Sequence, residues 1–378
     1  MEKAKLLCLC FLLAGGIFSC TSKDKNNATI ANNSSENTLT LCDYSKVTDT
    51  IDVPLSEWVE DCQLVHFDNS DSALFKFWWP TITDHYIGIR QHGGVYKLFD
   101  REGKYLYDIG KIGQGPGEYS GSLYSEVIDE TGKAIYLAPF SNSSKLYKYN
   151  IDGTFEKSID LKNDLNKPKI ALNSDGGISL VNLCFDKKGI FSAVVDANDQ
   201  VTTYLGKAED ITNPLDEKGN FSGFTNEIWS YGNTSDLTYM ITGNDTLYIY
   251  DAQAGASKPL FALSNLPEKE DFFKIYFDLP QKYIVNLGRK GAIAVDKKTQ
   301  DTHYIRLKND KFGGIGAPLC FTNGYFFAMY EPIHLMNAIE KRLSESSCTE
   351  NDKKVLKELL GSLNEDDNNV MFVGKLKK

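Results

Sequence analysis

The run Ile112-Gly113-Gln114-Gly115-Pro116-Gly117-Glu118-Tyr119 comes nearest, by residue type and spacing, to a segment that could do chemistry. Alternating glycines invite comparison with loops that cradle phosphate on backbone N–H groups. Such a loop needs Gly-Lys-Ser/Thr closing it into a helix N-terminus. Here Gly117 is followed by Glu118 and Tyr119, and a carboxylate at that point repels phosphate. No GxGxxG opens a helix elsewhere, so nucleotide binding is disfavoured.

Other catalytic patterns are thin. The histidines His66, His85, His92, His303 and His334 are scattered, and neither HExxH nor GxSxG occurs. Carboxylates are too plentiful for any pair to stand out as a glycosidase dyad. No CxxC pair supports a zinc site. No catalytic residue and no metal ligand is therefore assigned. Aromatic residues give the better lead: Phe77-Trp78-Trp79-Pro80, with Trp229 at a comparable place further on. Exposed Trp faces stack on sugars or anchor peptides, whereas buried ones fill gaps between packed sheets. In a strand, adjacent Trp residues point to opposite faces, so one of Trp78 and Trp79 is a surface candidate.

The elements that would position these residues come from an internal repeat. Val95–Asp100, a turn at Arg101-Glu102-Gly103 and Lys104–Ile109 read as a β-hairpin. The pattern returns at Leu146–Leu161, Phe191–Leu205, Leu247–Leu263 and Ala292–Leu307. Asp100, Asn150, Asp196, Asp251 and Asp296 close the first strand of each hairpin, at spacings of 50, 46, 55 and 45 residues. Each interval has room for two further strands, as at Asp84–Arg90, Ala134–Leu137, Gly177–Leu183, Leu237–Thr242 and Tyr283–Leu287. Four strands per repeat of this length is the period of a propeller blade. The Asx residues have a structural task, bonding their own turn.

A sixth blade is expected from the ends: Leu319–Tyr330 around Asn323-Gly324, the terminal strand Val370–Leu376, and Cys62–Phe67 closing the ring. Two apolar faces, Leu335/Met336/Ile339/Leu343 and Val355/Leu356/Leu359/Leu360/Leu363, predict a helical hairpin at 332–363 inserted in that blade. The fold class is thus all-β, a six-bladed β-propeller of four-stranded antiparallel blades with a small helical insertion. The Gly-rich run becomes the crossing from blade 1 to blade 2, where glycine permits positive φ and Pro116 stiffens the path.

The segment Leu98–Gly110 followed by Gly113-Gln114-Gly115-Pro116-Gly117-Glu118-Tyr119 resembles the six-bladed β-propeller lipoproteins of Bacteroidetes, and is similar in kind to NHL-repeat and TolB-like propellers. Asp367-Asn368-Asn369-Val370 also resembles that family's approach to its last strand, with Asn369 where proline is commoner. The resemblance spans residues 50–376 and implies the fold; it carries over no catalytic residue.

The N-terminus predicts an address. Lys3 and Lys5 precede the apolar run Leu6–Ala14, too short to span a bilayer, and Ser19-Cys20 resembles a bacterial lipobox. This predicts a signal peptide at 1–19, lipidation at Cys20, a polar tether at 20–49 and the propeller at 50–378. The expected location is the cell envelope, lipid-anchored at the outer membrane. Cys42, Cys62, Cys184, Cys320 and Cys348 remain, an odd number at irregular spacing that argues against a disulfide framework. A formal charge of −10 without any block of five Lys/Arg argues against nucleic acid and leaves the lipid as the link to the membrane.

The expected function is a monomeric binding or scaffold module, taking an envelope protein, peptide or glycan on the loop face through Gln114, Glu118, Tyr119, Trp78, Trp79 and Arg90. No cofactor is required for that, Ca²⁺ in the central channel being the one the fold leaves open. The alternative is a propeller hydrolase, lactonase or lyase with a channel metal.

Overall fold

The computed structural model describes residues 39–215, 218–220, 226–267 and 274–378. The signal segment and Cys20 lie outside the described residues.

Six blades form the ring. Blade 1 runs Phe77–Ile82, Tyr86–Gln91, Tyr96–Asp100 and Tyr105–Ile109, each strand antiparallel to the next. Blade 2 spans Leu123–Asp160 and blade 3 Lys169–Leu205 in the same order. Blade 4 spans Ile228–Ser264 and blade 5 Ile275–Asn309. Blade 6 combines Phe321–Thr322, Tyr325–Tyr330 and Val370–Leu376 with Val59–His66 as its outermost strand. Both chain ends thus contribute to one sheet, and the ring closes on hydrogen bonds rather than on exposed edges.

Local chemistry explains the strand ends. Asp100 Oδ1 accepts from the N–H groups of Glu102 and Lys104 at 3.1 and 2.8 Å, and Asp196 does the same for Asn198 and Gln200 at 2.8 Å each. Asp251 and Asp296 repeat the arrangement, while Asn150 bonds Thr154 Oγ1. The four Asp residues thus bond their own turn backbone as expected, whereas in the second blade Asp152, not Asn150, accepts from the turn N–H of Thr154. Asn323 and Gly324 both take positive φ, +52° and +78°, the two-residue hairpin turn whose twist suits flanking strands.

The core is divided by blade junction. Six apolar clusters occur among the described residues, one between each pair of neighbouring blades. Between blades 1 and 2, for example, Tyr96, Leu98 and Ile109 meet Leu123, Ile135, Leu137 and Tyr149. Each fully buried side chain of this size contributes roughly 1.5–3 kcal/mol. The helices α1 (Pro332–Ser344) and α2 (Glu350–Gly361) lie over the junction of blades 5 and 6. Leu335, Ile339, Leu356 and Leu359 are buried there. Pro332 starts α1, and Thr349 with Asp352 forms a capping box on α2. Most of the two predicted apolar faces cover the propeller.

The folded domain begins before the expected boundary at residue 50. Thr40–Asp43 pairs in parallel with Phe261–Ser264 on the outer edge of blade 4, and Thr50–Pro54 does so with Tyr304–Lys308 on blade 5. The N-terminal segment crosses the outer edges of three successive blades, adding a fifth strand to two and the fourth to the last. Thr40–Asp43, within the stretch expected as tether, joins the sheet edge because backbone groups of blade 4 bind it. All five described cysteines are free.

Candidate functional site

Three features of the chain converge on the central channel. A β-bulge between Phe77 and Trp79 displaces Trp78 from the ladder, leaving it 47% exposed and against His92, with ring centroids 3.5 Å apart and planes tilted by 34°. Trp79 stays in register opposite Arg90 and packs against Tyr231 and Phe327 at 5.4 and 5.0 Å. A second bulge, between Leu123 and Ser125, falls at Tyr124 on the innermost strand of blade 2. Tyr124 Oη donates to the Glu227 carboxylate and accepts from Ile228 N at 3.4 Å, at the start of blade 4.

The resulting cavity, about 480 Å³, is lined by Trp79, Arg90, Tyr124, Glu126, Lys169 and Tyr231, among others. Arg90 and Glu126 come from neighbouring blades and are both more than nine-tenths buried. Their atoms Nη1 and Oε1 lie 3.4 Å apart, and Nη1 also donates to Tyr124 O. Burial pushes the Glu126 carboxyl up, against the pull of Arg90 and Lys169. Lys169, at the first position of blade 3, holds its ammonium 4.5 Å from the Tyr124 ring centroid. Desolvation, then repulsion from Arg90, brings it down to about 7, with Glu126 and Glu227 opposing. Beside it Lys167 Nζ donates to Asn226 O at 2.7 Å and pairs with Glu227.

The opposite end of the cavity differs in character. Asp84, Asp129, Glu130 and Asp236 line it together with Lys375. Asp84 pairs with Lys375 at 2.5 Å and accepts from Tyr325 Oη, which keeps its carboxyl low. His85 Nδ1 meets Glu130 Oε2 at 2.6 Å. No group of three or more His, Cys, Asp and Glu arranged to hold a metal occurs among the described residues.

Gln114, Glu118 and Tyr119 lie at the same end of the disk as Trp79 and Arg90, because the interblade crossing leads from Ile109 to Leu123, where blade 2 starts. They line a different space, an open groove shared with Tyr147 and Phe155–Ser158 of blade 2. Tyr119 is 1% exposed; its hydroxyl accepts from Tyr96 N and donates to Ile109 O, both at 2.8 Å. Tyr149 Oη donates to Gly117 O at 3.0 Å, and Glu118 Oε2 accepts from Gly115 N at 2.8 Å. Gly117 has φ +72°, and a Cβ there would stand 2.6 Å from the Phe155 ring. Internal bonding occupies Glu118 and Tyr119; Gln114 is exposed.

Trp79 and Arg90 thus come together in the channel, Trp78 borders them, and Gln114, Glu118 and Tyr119 do not join them. Sequence reasoning missed Tyr124, Glu126, Lys169 and Tyr231. One signal was present: Glu126 is the one charged residue in Leu123–Ile128, whose every residue is buried.

Fold and cavity define a six-bladed β-propeller with a polar, aromatic-rimmed channel. Over residues 40–375 the sequence matches the family described as a domain of unknown function (DUF4934), and the chain belongs to that family. It is similar in structure to a putative exported protein of Bacteroides fragilis: TM-score 0.60, 18% identity, covering 90% of this chain and 100% of that one. A structural-genomics protein of unknown function from Bacteroides thetaiotaomicron gives TM-score 0.44 at 11% identity, covering 83% of this chain and 76% of that one. Among curated proteins no sequence matches. No helix among the described residues is long and apolar enough to cross a membrane.

Proposed function

We propose that this chain is a cell-envelope lipoprotein that acts as a binding or scaffold module for a protein, peptide or glycan, received at the channel end of the loop face. The observation that carries the reading is the cavity where Trp79, Tyr124 and Tyr231 surround Arg90 and Lys169. A half-open pocket of about 480 Å³ with aromatic walls and a few converging polar groups has the form of a small-ligand site. Trp78, exposed at the rim, extends it toward a larger partner. Gln114 and the rest of the crossing supply a second, shallower contact along blade 2.

The experiment is capture of envelope proteins and glycans by the mature domain, repeated with Trp79→Ala. Loss of the captured material with the fold intact supports the channel; undiminished capture contradicts it. Lipid attachment rests on Ser19-Cys20. Cys20→Ala should release the protein from the membrane fraction, and retention there would count against the anchor.

The competing reading is a hydrolase, lactonase or lyase working in the same channel with a bound metal. Lys169 favours it in one respect: an amine held near 7 is partly neutral at physiological pH and available as base or nucleophile.

A further inference from the structure

Charge in the channel is unevenly matched. Lys167 is paired with Glu227, and Arg90 faces Glu126. Lys169 makes no hydrogen bond or ion pair with a carboxylate among the described residues; its neighbour is the face of Tyr124. Arg90 Nε is buried without a hydrogen-bond partner, as is Glu126 Oε1, which faces Arg90 Nη1 at 3.4 Å as an ion pair only. Arg90 also bonds the carbonyl of the same Tyr124 whose ring lies beside Lys169, so the two cations belong to one spot. The acids near these two cations are Glu126 and Glu227, the latter already paired with Lys167, and Trp79 stands directly opposite Arg90 with Tyr231 5.4 Å from its ring.

We infer that the channel recognises its ligand by a carboxylate, received at Arg90 and Lys169, with the body of the ligand against Trp79 and Tyr231. The inference rests on the binding reading above and specifies its chemistry. A buried donor without a partner is costly, and a carboxylate offers acceptors to both cations at once. Arginine and aromatic rings together suit a carboxylate carried on a ring, such as a uronic acid, and the same chemistry also admits a simple carboxylic acid.

The groups facing Lys169 set the pH response. They are Arg90 of blade 1, Tyr124 and Glu126 of blade 2, Glu227 before blade 4, and Lys167 on its own segment. A bound anion favours the ammonium, so binding takes up a proton near neutrality and weakens as pH rises past Lys169's own pKa.

The test is calorimetric titration of the mature domain with D-glucuronate, D-glucose and acetate. Glucuronate should bind and glucose should not. Binding of glucuronate above acetate assigns the ring a part, and equal binding assigns the site to simple acids; both support the carboxylate. Lys169→Met should weaken glucuronate about tenfold or more and remove the pH dependence, whereas Lys169→Arg should keep the affinity. Glu126→Gln removes the competing acid and should tighten binding, an effect that misfolding cannot imitate.

Absence of glucuronate and acetate binding, or glucose binding equally well, overturns the carboxylate. The binding reading falls separately, if material captured from the envelope is indifferent to Trp79→Ala.

Discussion

Arg90 and Glu126 face each other at 3.4 Å across the boundary between blades 1 and 2, both buried within the channel wall. The pair joins two sheets whose junction is mainly apolar, with His85 and Glu130 making a second polar contact between the same two blades. Removing one member of a buried pair leaves the other charge without compensation.

Arg90→Met should therefore cost about 2–4 kcal/mol in urea unfolding, toward the low end because Lys169 still faces the carboxylate. The loss should shrink at acid pH, since Glu126 is already shifted upward by burial and takes a proton more readily without Arg90. A variant as stable as wild type at neutral pH would mean that the pair contributes nothing.

Tyr119 tests the structural side of the Gly-rich run. Its hydroxyl joins Tyr96 N to Ile109 O, so Tyr119→Phe orphans a buried donor and weakens the start of the crossing. The expected cost is about 1–3 kcal/mol by chemical denaturation, with channel binding unchanged. A change in ligand affinity without a change in stability would reverse the roles.

Gly117 carries both a positive φ and a close approach to Phe155. Gly117→Ala should destabilise by about 1–3 kcal/mol, and adding Phe155→Ala should relieve the steric part while the backbone strain stays. The comparison of the two unfolding curves separates the terms.

His85 is exposed, and its hydrogen bond to Glu130 raises the imidazole above its ordinary 6.5. A raised folded pKa means that the contribution is present on the acid side and fades as pH rises through the folded value. An NMR titration should place His85 above 6.5, and Glu130→Gln should return it toward that value.

The propeller was legible because its signal repeats. An Asx residue ends the first hairpin strand in five blades, and the apolar terminal run Val370–Val373 with the β-like segment Cys62–Phe67 marks the closing blade. The outer strands at Thr40–Asp43 and Thr50–Pro54 were not legible. Each buries a single residue, Cys42 and Val53, and a strand held by its backbone alone leaves no periodicity. Within the site, Trp79 and Arg90 stood out by type. Glu126 and Lys169 are single charges on separate blades, brought together only when the innermost strands line up around the channel. No spacing along the chain encodes that meeting.

The channel assignment is tested most directly by capture of envelope material on the immobilised mature domain, wild type beside Trp79→Ala and Tyr119→Phe. It predicts a retained protein, peptide or glycan that Trp79→Ala loses and Tyr119→Phe keeps. Retention by both variants, or loss only with Tyr119→Phe, would place binding outside the channel and contradict it.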